Sequence, residues 1–499
     1  MPCSQLHHLR VGAGGGWQRL THQDLDGVSC HFCHSMVDPI YKPGISPIED
    51  LAVLAGLEEV PEFYGNAMFV LDPQGRRRGP RPDAVPAHEL IQSPFHMTGS
   101  MCGTCHDVGN VAITKLPNGT YRYNALDQAS PTQDPWEMFP LERTYTEWKL
   151  SAFADGGVDM GGRFGGVNAS TVSSCQDCHM PRAVGQACFF GPERQDLRRH
   201  EFAGSGAQSL DIIAAFTAED PDVDQAAIIR SRAAAVSMLE RAATLEVDRI
   251  GGQARVRVIN ESGHKIPSGH IEGRRIWVNV QFLDDQDTVL AEVGGYDDTE
   301  ARLDKSGTTI FEMQVGLSDD AAAATGLEPG HSMHMAIADT ITKDTRIPPR
   351  GWNNTTYEAG GAPAVGTAYP DGQHWSDSWY SVPAGAARVR TRLYYQSTPR
   401  FYIDHLRDAN VTDSWGQTLH DLWVRTGRGQ PILMAELHHD IGCISNFAPP
   451  DDSLDFFDVA AFLAAFSAQD PAADFATPFG AWDFFDILRY LDAFSTGCP

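Results

Sequence analysis

The chain has 499 residues, which is too long for one ordinary domain and enough for about two to four separate cores. Its formal net charge of -27 at pH 7 argues against nucleic-acid binding, because a phosphate backbone requires a basic surface. No apolar run is long enough to cross a bilayer as a helix, so the sequence predicts no transmembrane segment.

The N-terminal segment, Met1 to Gly16, has neither the basic start nor the continuous apolar stretch of a secretory signal. Cys3 in this segment and Cys188 further along belong to no motif, and the spacing does not say whether they pair with each other.

Three C-x-x-C-H strings occur in the first 180 residues. Two thiols at this spacing reach the two vinyl groups of one porphyrin, and the histidine that follows lies beneath the iron. Zinc sites also use C-x-x-C pairs, but zinc does not require a histidine directly after each pair. The sequence therefore predicts three covalently bound haem c groups, held by Cys30, Cys33 and His34, by Cys102, Cys105 and His106, and by Cys175, Cys178 and His179.

Six-coordinate haems need a second axial ligand on each iron. The best candidates by context are His96 before the second string, His200 after the third, and His264 in a loop between two predicted strands. The weaker candidates are His31, His88 and His270, and the methionines close to the strings are expected to pack against porphyrin: Met36, Met97, Met101 and Met180.

The pattern along the chain predicts a multidomain α+β protein. An irregular multihaem region spans residues 1–215, a connecting helix residues 216–247, an antiparallel β-sandwich residues 248–440, and a small helical module residues 441–499. In the sandwich, Ile276, Val278, Val280 and Phe282 alternate with Trp277 and Asn279, which predicts a half-buried strand. His438, His439 and Asp440 are interpreted as an exposed linker rather than a site.

The last module contains an internal repeat, because LDFFDVAAFLAAF from Leu454 matches WDFFDILRYLDAF from Trp482. Cys443 precedes the first unit and Cys498 follows the second. In an oxidising compartment they are predicted to form a disulfide that closes the module.

The segment GHKIPSGHIEGRRIWVNV resembles the "GHKLPTG" segment of bacterial multihaem c-type cytochromes that have a C-terminal β-sandwich. MCGTCHDVGN and CQDCHMPR resemble the haem motifs of the same proteins, and the resemblance covers Leu25 to Met434. It implies that haems stack within electron-hopping distance and that His264 binds an iron from the sandwich side, and it supports His96 and His200 as ligands. Relatives often carry a further haem motif upstream, where this chain has only Cys3.

The last module resembles dockerin-like anchoring modules that end in Gly-Cys on exported proteins of planctomycete-like bacteria. The resemblance implies a cohesin-like or cell-surface anchoring partner, and calcium as a candidate ligand of Asp455, Asp458, Asp483 and Asp486. Phe447, Pro449, Phe475, Thr477 and Phe479 stand at the early ligand positions, where acidic or amide residues are expected. The alternative is a helical pair that docks to a partner without calcium.

Electron transfer between redox partner proteins is the favoured function. Two alternative functions are kept open. One is a haem-dependent oxidoreductase acting on a small nitrogen or sulfur oxyanion, and the other is a surface-anchored binding protein with structural haems. Because c-type haem is attached on the exported side of a membrane, the expected location is periplasmic or extracellular, and the sequence is expected to be truncated at its N-terminus.

Overall fold

The computed structural model describes residues 28–442, 445–448, 454–476 and 478–497. The predicted fold class, a multidomain α+β protein, is confirmed, because helices and several antiparallel sheets follow one another along the chain. In these described ranges no helix is both long and apolar enough to cross a membrane.

The three C-x-x-C-H strings each form or adjoin a short helix: α1 (Cys30–Ser35), α3 (Gly99–Gly103) and α5 (Cys175–His179). Local capping explains two of these starts. Ser29 accepts the N–H of Phe32 at the beginning of α1, and Ser174 forms a reciprocal capping box with Asp177 at the beginning of α5. The cysteines are therefore presented from helical turns, which keeps each pair on one side of its segment.

Short elements connect these three helices. The helices are α2 (Glu49–Leu54) and α4 (Thr144–Lys149), with 3-10 turns at Pro94–Met97 and Pro135–Glu137. The strands are β1 (Met36–Val37), β2 (Val70–Leu71), β3 (Arg77–Gly79), β4 (Leu90–Gln92), β5 (Val108–Lys115), β6 (Tyr121–Tyr123), β7 (Met138–Glu142), β8 (Val158–Asp159), β9 (Thr171–Val172), β10 (Arg182–Gln186) and β11 (Glu193–Arg198). They form small sheets, β1-β2, β3-β4, β6-β5-β7, β8-β9 and β10-β11, of which only β3-β4 is parallel among the described strands.

Two helices lead from this region to the large sheets: α6 (Ala207–Phe216) and α7 (Gln225–Ala242). Asp224 caps α7 by accepting the N–H of Ala227. One face of α7 buries Ala235, Met238 and Leu239, the residues that helical spacing places together. A helix therefore lies in the segment 216–247 where the sequence predicts one, but it spans only Gln225–Ala242, because the chain from Ala243 onward pairs as β12.

Two antiparallel sheets follow. The three-stranded sheet has the order β12 (Ala243–Ile250), β13 (Gln253–Asn260), β21 (Trp375–Ser381). The seven-stranded sheet has the order β19 (Gly330–His331), β18 (Ile310–Leu317), β14 (Arg275–Leu283), β22 (Arg388–Gln396), β23 (Ile432–Asp440), with β15 (Val289–Val293) on β14 and β20 (Thr340–Asp344) on β18. The remaining elements are β16 (Tyr296–Asp297), β17 (Arg302–Leu303), α8 (Asp319–Thr325), a 3-10 turn at Met335–Ile337, α9 (Asn354–Ala359), α10 (Arg400–Ala409) and α11 (Trp415–Arg425).

The two sheets contribute to one apolar core, in which Val256 and Val258 of β13 meet Val278 and Val280 of β14. Burying apolar side chains from both sheets is what holds a sandwich together.

One expectation about β14 is wrong, because both faces of this strand are buried. Trp277, placed on the outward face by alternation, is fully buried and packs against Tyr296 and Tyr394. Those two aromatic rings cover the outer face of β14, so a central strand of this sheet has no solvent side. The interpretation of His438, His439 and Asp440 as a linker is also wrong, since all three lie on β23 and pair with β22.

The last module contains α12 (Phe456–Ser467) and α13 (Phe484–Thr496), with a 3-10 turn at Pro471–Ala473. The fully buried rings of Phe462 and Tyr490 stack in parallel, with centroids 3.8 Å apart and an interplanar angle of 2°. The two repeats therefore pack on each other through aromatic side chains.

Candidate functional site

The three C-x-x-C-H segments lie together in the structure. The thiols of Cys102 and Cys175 are hydrogen-bonded to each other, which joins the second and third segments. The ring of His96 donates from Nε2 to the carbonyl oxygen of Cys33 at 2.9 Å, which joins the first segment to the turn before the second. Gln176 donates to the carbonyl oxygen of Thr98 at 2.8 Å. Groups attached to these cysteines would be neighbours.

His179 and His264 face each other across a gap. Their ring centroids are 6.4 Å apart, and the ring planes differ by 14°. Two imidazoles bound through nitrogen to one metal ion, at a metal–nitrogen distance of about 2 Å, place their ring centres roughly 6 Å apart. The distance between the two rings is therefore the one expected for two axial ligands on a single iron, and nearly parallel planes are compatible with that arrangement.

Hydrogen bonds fix both rings of this pair. His179 donates from Nδ1 to the carbonyl oxygen of Ala203 at 2.6 Å, and His264 donates from Nδ1 to that of Lys265 at 3.0 Å. With Nδ1 used as a donor, Nε2 carries the free lone pair on each ring. This second partner sets the tautomer that a metal-binding imidazole needs.

The third segment is apolar around its thiol. Cys178 packs against a cluster that includes Phe153, Phe164 and Met238. Burial lowers the pKa of His179 to about 4 and also lowers the pKa of His264, so both imidazoles are neutral at pH 7. Neutral imidazole is the form that binds a metal ion.

The first segment places two of the candidate histidines beside His34. The ring centroid of His200 is 6.1 Å from that of His34 at an interplanar angle of 41°, and the centroid of His96 is 5.8 Å away at 13°. His34 donates from Nδ1 to the carbonyl oxygen of Arg78 at 2.7 Å, which leaves Nε2 for a metal. Because His96 already uses Nε2 on Cys33, its own buried Nδ1 is left without a hydrogen-bond partner among the described residues.

His106 of the second segment has a different environment. Its Nδ1 is 3.2 Å from Oε1 of Glu142, and its side chain is 64% exposed. The hydrogen bond to Glu142 raises the pKa of His106, and the nearby Arg274 opposes that shift. In the described part of the chain, no aromatic or imidazole ring forms a ring contact with His106, unlike the histidines of the first and third segments. The histidine of the second segment therefore has a carboxylate that can orient it.

The other candidate histidines lie elsewhere. His270 donates or accepts a hydrogen bond with the hydroxyl of Tyr402 at 3.0 Å, and His88 is exposed with Nδ1 on the carbonyl oxygen of Glu89. Met36 and Met101 lie in an apolar cluster with Cys33, and their packing against porphyrin stays a prediction. Sequence reasoning missed Glu142 and the carbonyls of Arg78 and Ala203, since nothing in the local sequence marks a carbonyl that is brought in from a distant strand or loop.

Three of the motif thiols, those of Cys33, Cys175 and Cys178, have a raised pKa, which favours their protonated form. Burial raises the pKa of Cys178 to about 12 and also raises that of Cys33. A tetrahedral zinc site needs thiolates, which these apolar environments disfavour. Across residues 28–442, 445–448, 454–476 and 478–497, no three His, Cys, Asp or Glu side chains converge as a metal held by protein alone requires. An axial pair on a porphyrin iron requires two imidazoles, which His179 of the third segment and His264 of the loop between β13 and β14 provide.

The carboxylates of the last module contact the backbone. Asp458 accepts the N–H groups of Phe447 and Ala448 with Oδ1 and that of Asp455 with Oδ2, at 2.7 to 2.8 Å. Asp486 repeats this arrangement in the second unit on Phe475, Ala476 and Asp483. Asp455 and Asp483 cap the helices that follow them. The four carboxylates therefore act as caps in the structure, and calcium binding stays a prediction.

Some predicted residues fall outside the described ranges: Cys3, Cys443 and Cys498, and with them the predicted disulfide, as well as Pro449 and Thr477. Cys188 is a free thiol whose sulfur accepts the N–H of Val85 at 3.1 Å.

Comparison with known proteins gives one distant likeness. No family model matches the sequence, and no curated protein is a detectable relative. Among solved structures, a penta-heme cytochrome c552 from Thermochromatium tepidum matches with 16% identity, 83% of this chain and 77% of that chain covered, and a TM-score of 0.43. At this TM-score the likeness carries no inference about this chain.

Proposed function

We propose that this chain is a multihaem c-type cytochrome that binds three haem c groups covalently and transfers electrons between redox partners outside the cytoplasm. The observation that carries the proposal is the pair His179 and His264, 6.4 Å apart with nearly parallel planes, one directly after a C-x-x-C pair and the other from the sandwich. A histidine pair held only by packing has no need to keep both Nε2 atoms free.

The residues present fit the cofactor at each segment. Cys175 and Cys178 would form the thioethers of the third haem, with His179 and His264 as its axial ligands. Cys30, Cys33 and His34 would hold the first haem, with His200 as the second ligand, because its ring has the required spacing and His96 is engaged on Cys33. Cys102, Cys105 and His106 would hold the second.

The bound haems would supply one-electron chemistry at iron. The chain contributes the rest. It keeps His179 and His264 neutral by burial, and it fixes the tautomers of His34, His179 and His264 through backbone carbonyls. It also brings the second and third attachment segments into contact, as the Cys102–Cys175 hydrogen bond supports. Close spacing is what electron exchange between neighbouring centres requires, and the exported location follows from the covalent attachment of haem.

The direct test is the haem content of mature protein, made in a bacterial host with a c-type maturation system and an added export signal. We expect a pyridine haemochrome spectrum and an intact mass that give three haems per chain. Replacing both Cys175 and Cys178 with alanine should remove one haem, whereas the matched variant Cys188→Ala should keep all three. Colourless protein, or zinc bound at the thiols, would contradict the proposal.

A second candidate function is an oxidoreductase that acts on a small nitrogen or sulfur oxyanion at the second segment. The observation that favours it is the exposure of His106 together with the guanidinium of Arg274 nearby, since a cation beside an accessible iron would attract an anion. Carbon monoxide binding to the reduced protein separates the two functions. A pure carrier with six-coordinate irons binds it poorly, and an open second iron binds it with one equivalent per chain.

The last module supports a proposal about location. Four phenylalanines at the start of the two repeated helices are exposed: Phe456, Phe457, Phe484 and Phe485. Exposed aromatic groups that recur in both repeats are typical of a docking surface, and we propose that the module anchors the chain to a cell-surface partner. Cell fractionation of the full chain and of a chain ending at residue 441 should show loss of surface association only in the shorter form.

A further inference from the structure

The two backbone carbonyls that accept hydrogen bonds from His34 and His264 both belong to basic residues. The carbonyl of Arg78 accepts Nδ1–H of His34, and the carbonyl of Lys265 accepts Nδ1–H of His264. Both Arg78 and Lys265 are fully buried. In each case the residue next to an axial imidazole is therefore a cation without access to solvent.

Arg78 is locked by two carboxylates. Its Nη2 is 2.9 Å from Oδ1 of Asp50, and its Nη1 is 2.7 Å from Oδ2 of Asp72, with the side chains of all three inaccessible to solvent. A guanidinium bound at two of its edges cannot rotate, so the backbone of this residue is fixed with it.

Lys265 is locked in a larger cluster that spans two parts of the chain. Its Nζ is 2.8 Å from Oδ2 of Asp344 and 2.8 Å from the carbonyl oxygen of Pro363. Its backbone N–H donates to Oε2 of Glu147 at 3.0 Å, and Glu147 lies on α4 in the region of the cysteine motifs. Arg346 pairs with both Asp344 and Glu147. Lys265, whose carbonyl accepts Nδ1–H of His264, is therefore held both through its backbone N–H and through its side chain.

The charges of this cluster balance, because Lys265 and Arg346 face Asp344 and Glu147. Burial lowers the pKa of Lys265 and raises that of Glu147, while the two cations oppose the effect of burial on Asp344 and keep its pKa below the ordinary value. Buried ion pairs add little net stability compared with apolar side chains of similar volume, so their presence calls for another role.

We infer that Arg78 and Lys265 are positioning residues for the axial imidazoles His34 and His264, each using an ion-paired, buried side chain to fix the carbonyl that orients the ring. The inference rests on the proposed function. It follows that the angle between the planes of His179 and His264 depends on Lys265. The carbonyl of Lys265 bonds the ring of His264, whereas its ammonium group bonds Asp344.

The test uses the haem-loaded full chain and electron paramagnetic resonance of the oxidised protein, since the signal of a bis-histidine haem depends on the angle between its imidazole planes. The double variant Lys265→Met with Glu147→Gln removes one charge of each sign and leaves the Asp344–Arg346 pair intact. We expect three haems, a shifted low-spin signal for one of them, and unchanged signals for the others. The single variant Lys265→Arg, which keeps the cation and leaves Glu147 in place, should give the wild-type signal.

Arg275→Met is the matched control, because Arg275 is also a buried cation but hydrogen-bonds Gln396 instead of bordering an imidazole. It should leave all three signals unchanged. Unchanged signals in a folded, three-haem double variant would overturn the inference and leave the proposed function standing, whereas wild-type protein without haem would overturn the proposed function itself. If the double variant does not fold, Lys265→Gln, which keeps a hydrogen-bond donor for Asp344, is read by the same criteria.

Discussion

The thiol of Cys102 is in hydrogen-bond contact with that of Cys175, although the two belong to different C-x-x-C-H segments. Two porphyrins attached at these sulfurs would be close enough for the charge on one iron to influence the potential of the other.

We therefore expect the redox titration of the third haem to depend on the second. Replacing Cys102 and Cys105 with alanine should leave two haems and remove the interaction, so that the third haem titrates as an independent one-electron step. Spectroelectrochemical titration measures this, and Cys188→Ala is the control that should titrate like the wild type. An unaltered curve for the third haem in the two-haem variant would mean that the segments are not electronically coupled.

Removing His264 should open the third iron. His264→Ala keeps Cys175, Cys178 and His179, so the covalent haem stays, but the low-spin signal should give way to a high-spin one and reduced protein should bind one further equivalent of carbon monoxide. His88→Ala is the control, because His88 is exposed and contacts only its neighbour's carbonyl in the described structure. A low-spin third haem in His264→Ala would show that another residue is its ligand.

The carboxylate of Asp458 should stabilise the last module in a way that depends on pH. Burial alone would raise its pKa, but the three backbone N–H groups that it accepts outweigh burial and lower it. Because the folded pKa lies below the unfolded value of about 3.9, this stabilisation is fully present above the unfolded value and is lost as the pH falls from there through the lower folded pKa. Asp458→Asn should lower the free energy of unfolding of the module by about 1–3 kcal/mol at pH 7. It should also remove the part of the pH dependence of stability that comes from this carboxylate.

Thermal unfolding of the module between pH 3 and pH 7 checks this, followed by the fluorescence of Trp482 beside α13. Glu240→Gln, a change on the exposed face of α7, is the control that should have no effect. The same scans with calcium and with a chelator measure whether the module binds calcium, and a rise in melting temperature with calcium that depends on Asp458 would show that the cap rearranges into a metal site.

Gly103 should tolerate no larger residue. A Cβ at this position would lie 2.6 Å from the ring of Tyr145, so Gly103→Ala forces the second attachment helix away from α4. Overpacking of this kind typically costs about 1–3 kcal/mol. Chemical denaturation measures the loss, and Gly204→Ala, where the added carbon meets no atom within 4 Å, is the matched control. Equal stabilities of the two variants would mean that Tyr145 moves freely.

The local chemistry of the site could be read from the sequence, and its three-dimensional pairing only in part. The C-x-x-C-H strings and His264 are marked by their neighbours in the chain, and His264 lies beside His179. The choice between His96 and His200 beside His34 depends on which nitrogen His96 uses, and that is decided by a carbonyl in another segment.

The same limit explains the fold-level errors. Alternation along β14 correctly indicates a strand but cannot show that Tyr296 and Tyr394 cover its second face. The contacts of the aspartates in the last module could not be read from the sequence either: Asp458 and Asp486 accept backbone N–H groups, and calcium binding there is still a prediction. Sequence spacing fixes the position of a carboxylate and not the identity of its partner.

His264 lies in the loop between β13 and β14, and its partner His179 lies in α5, which precedes α7 in the chain. A haem that draws its two axial ligands from parts of the chain that are far apart in sequence completes its coordination only when those parts have come together. The spin state of the third iron would then report the assembly of the molecule: covalent attachment could precede docking of the sandwich, and the change in colour would mark the moment at which docking is finished.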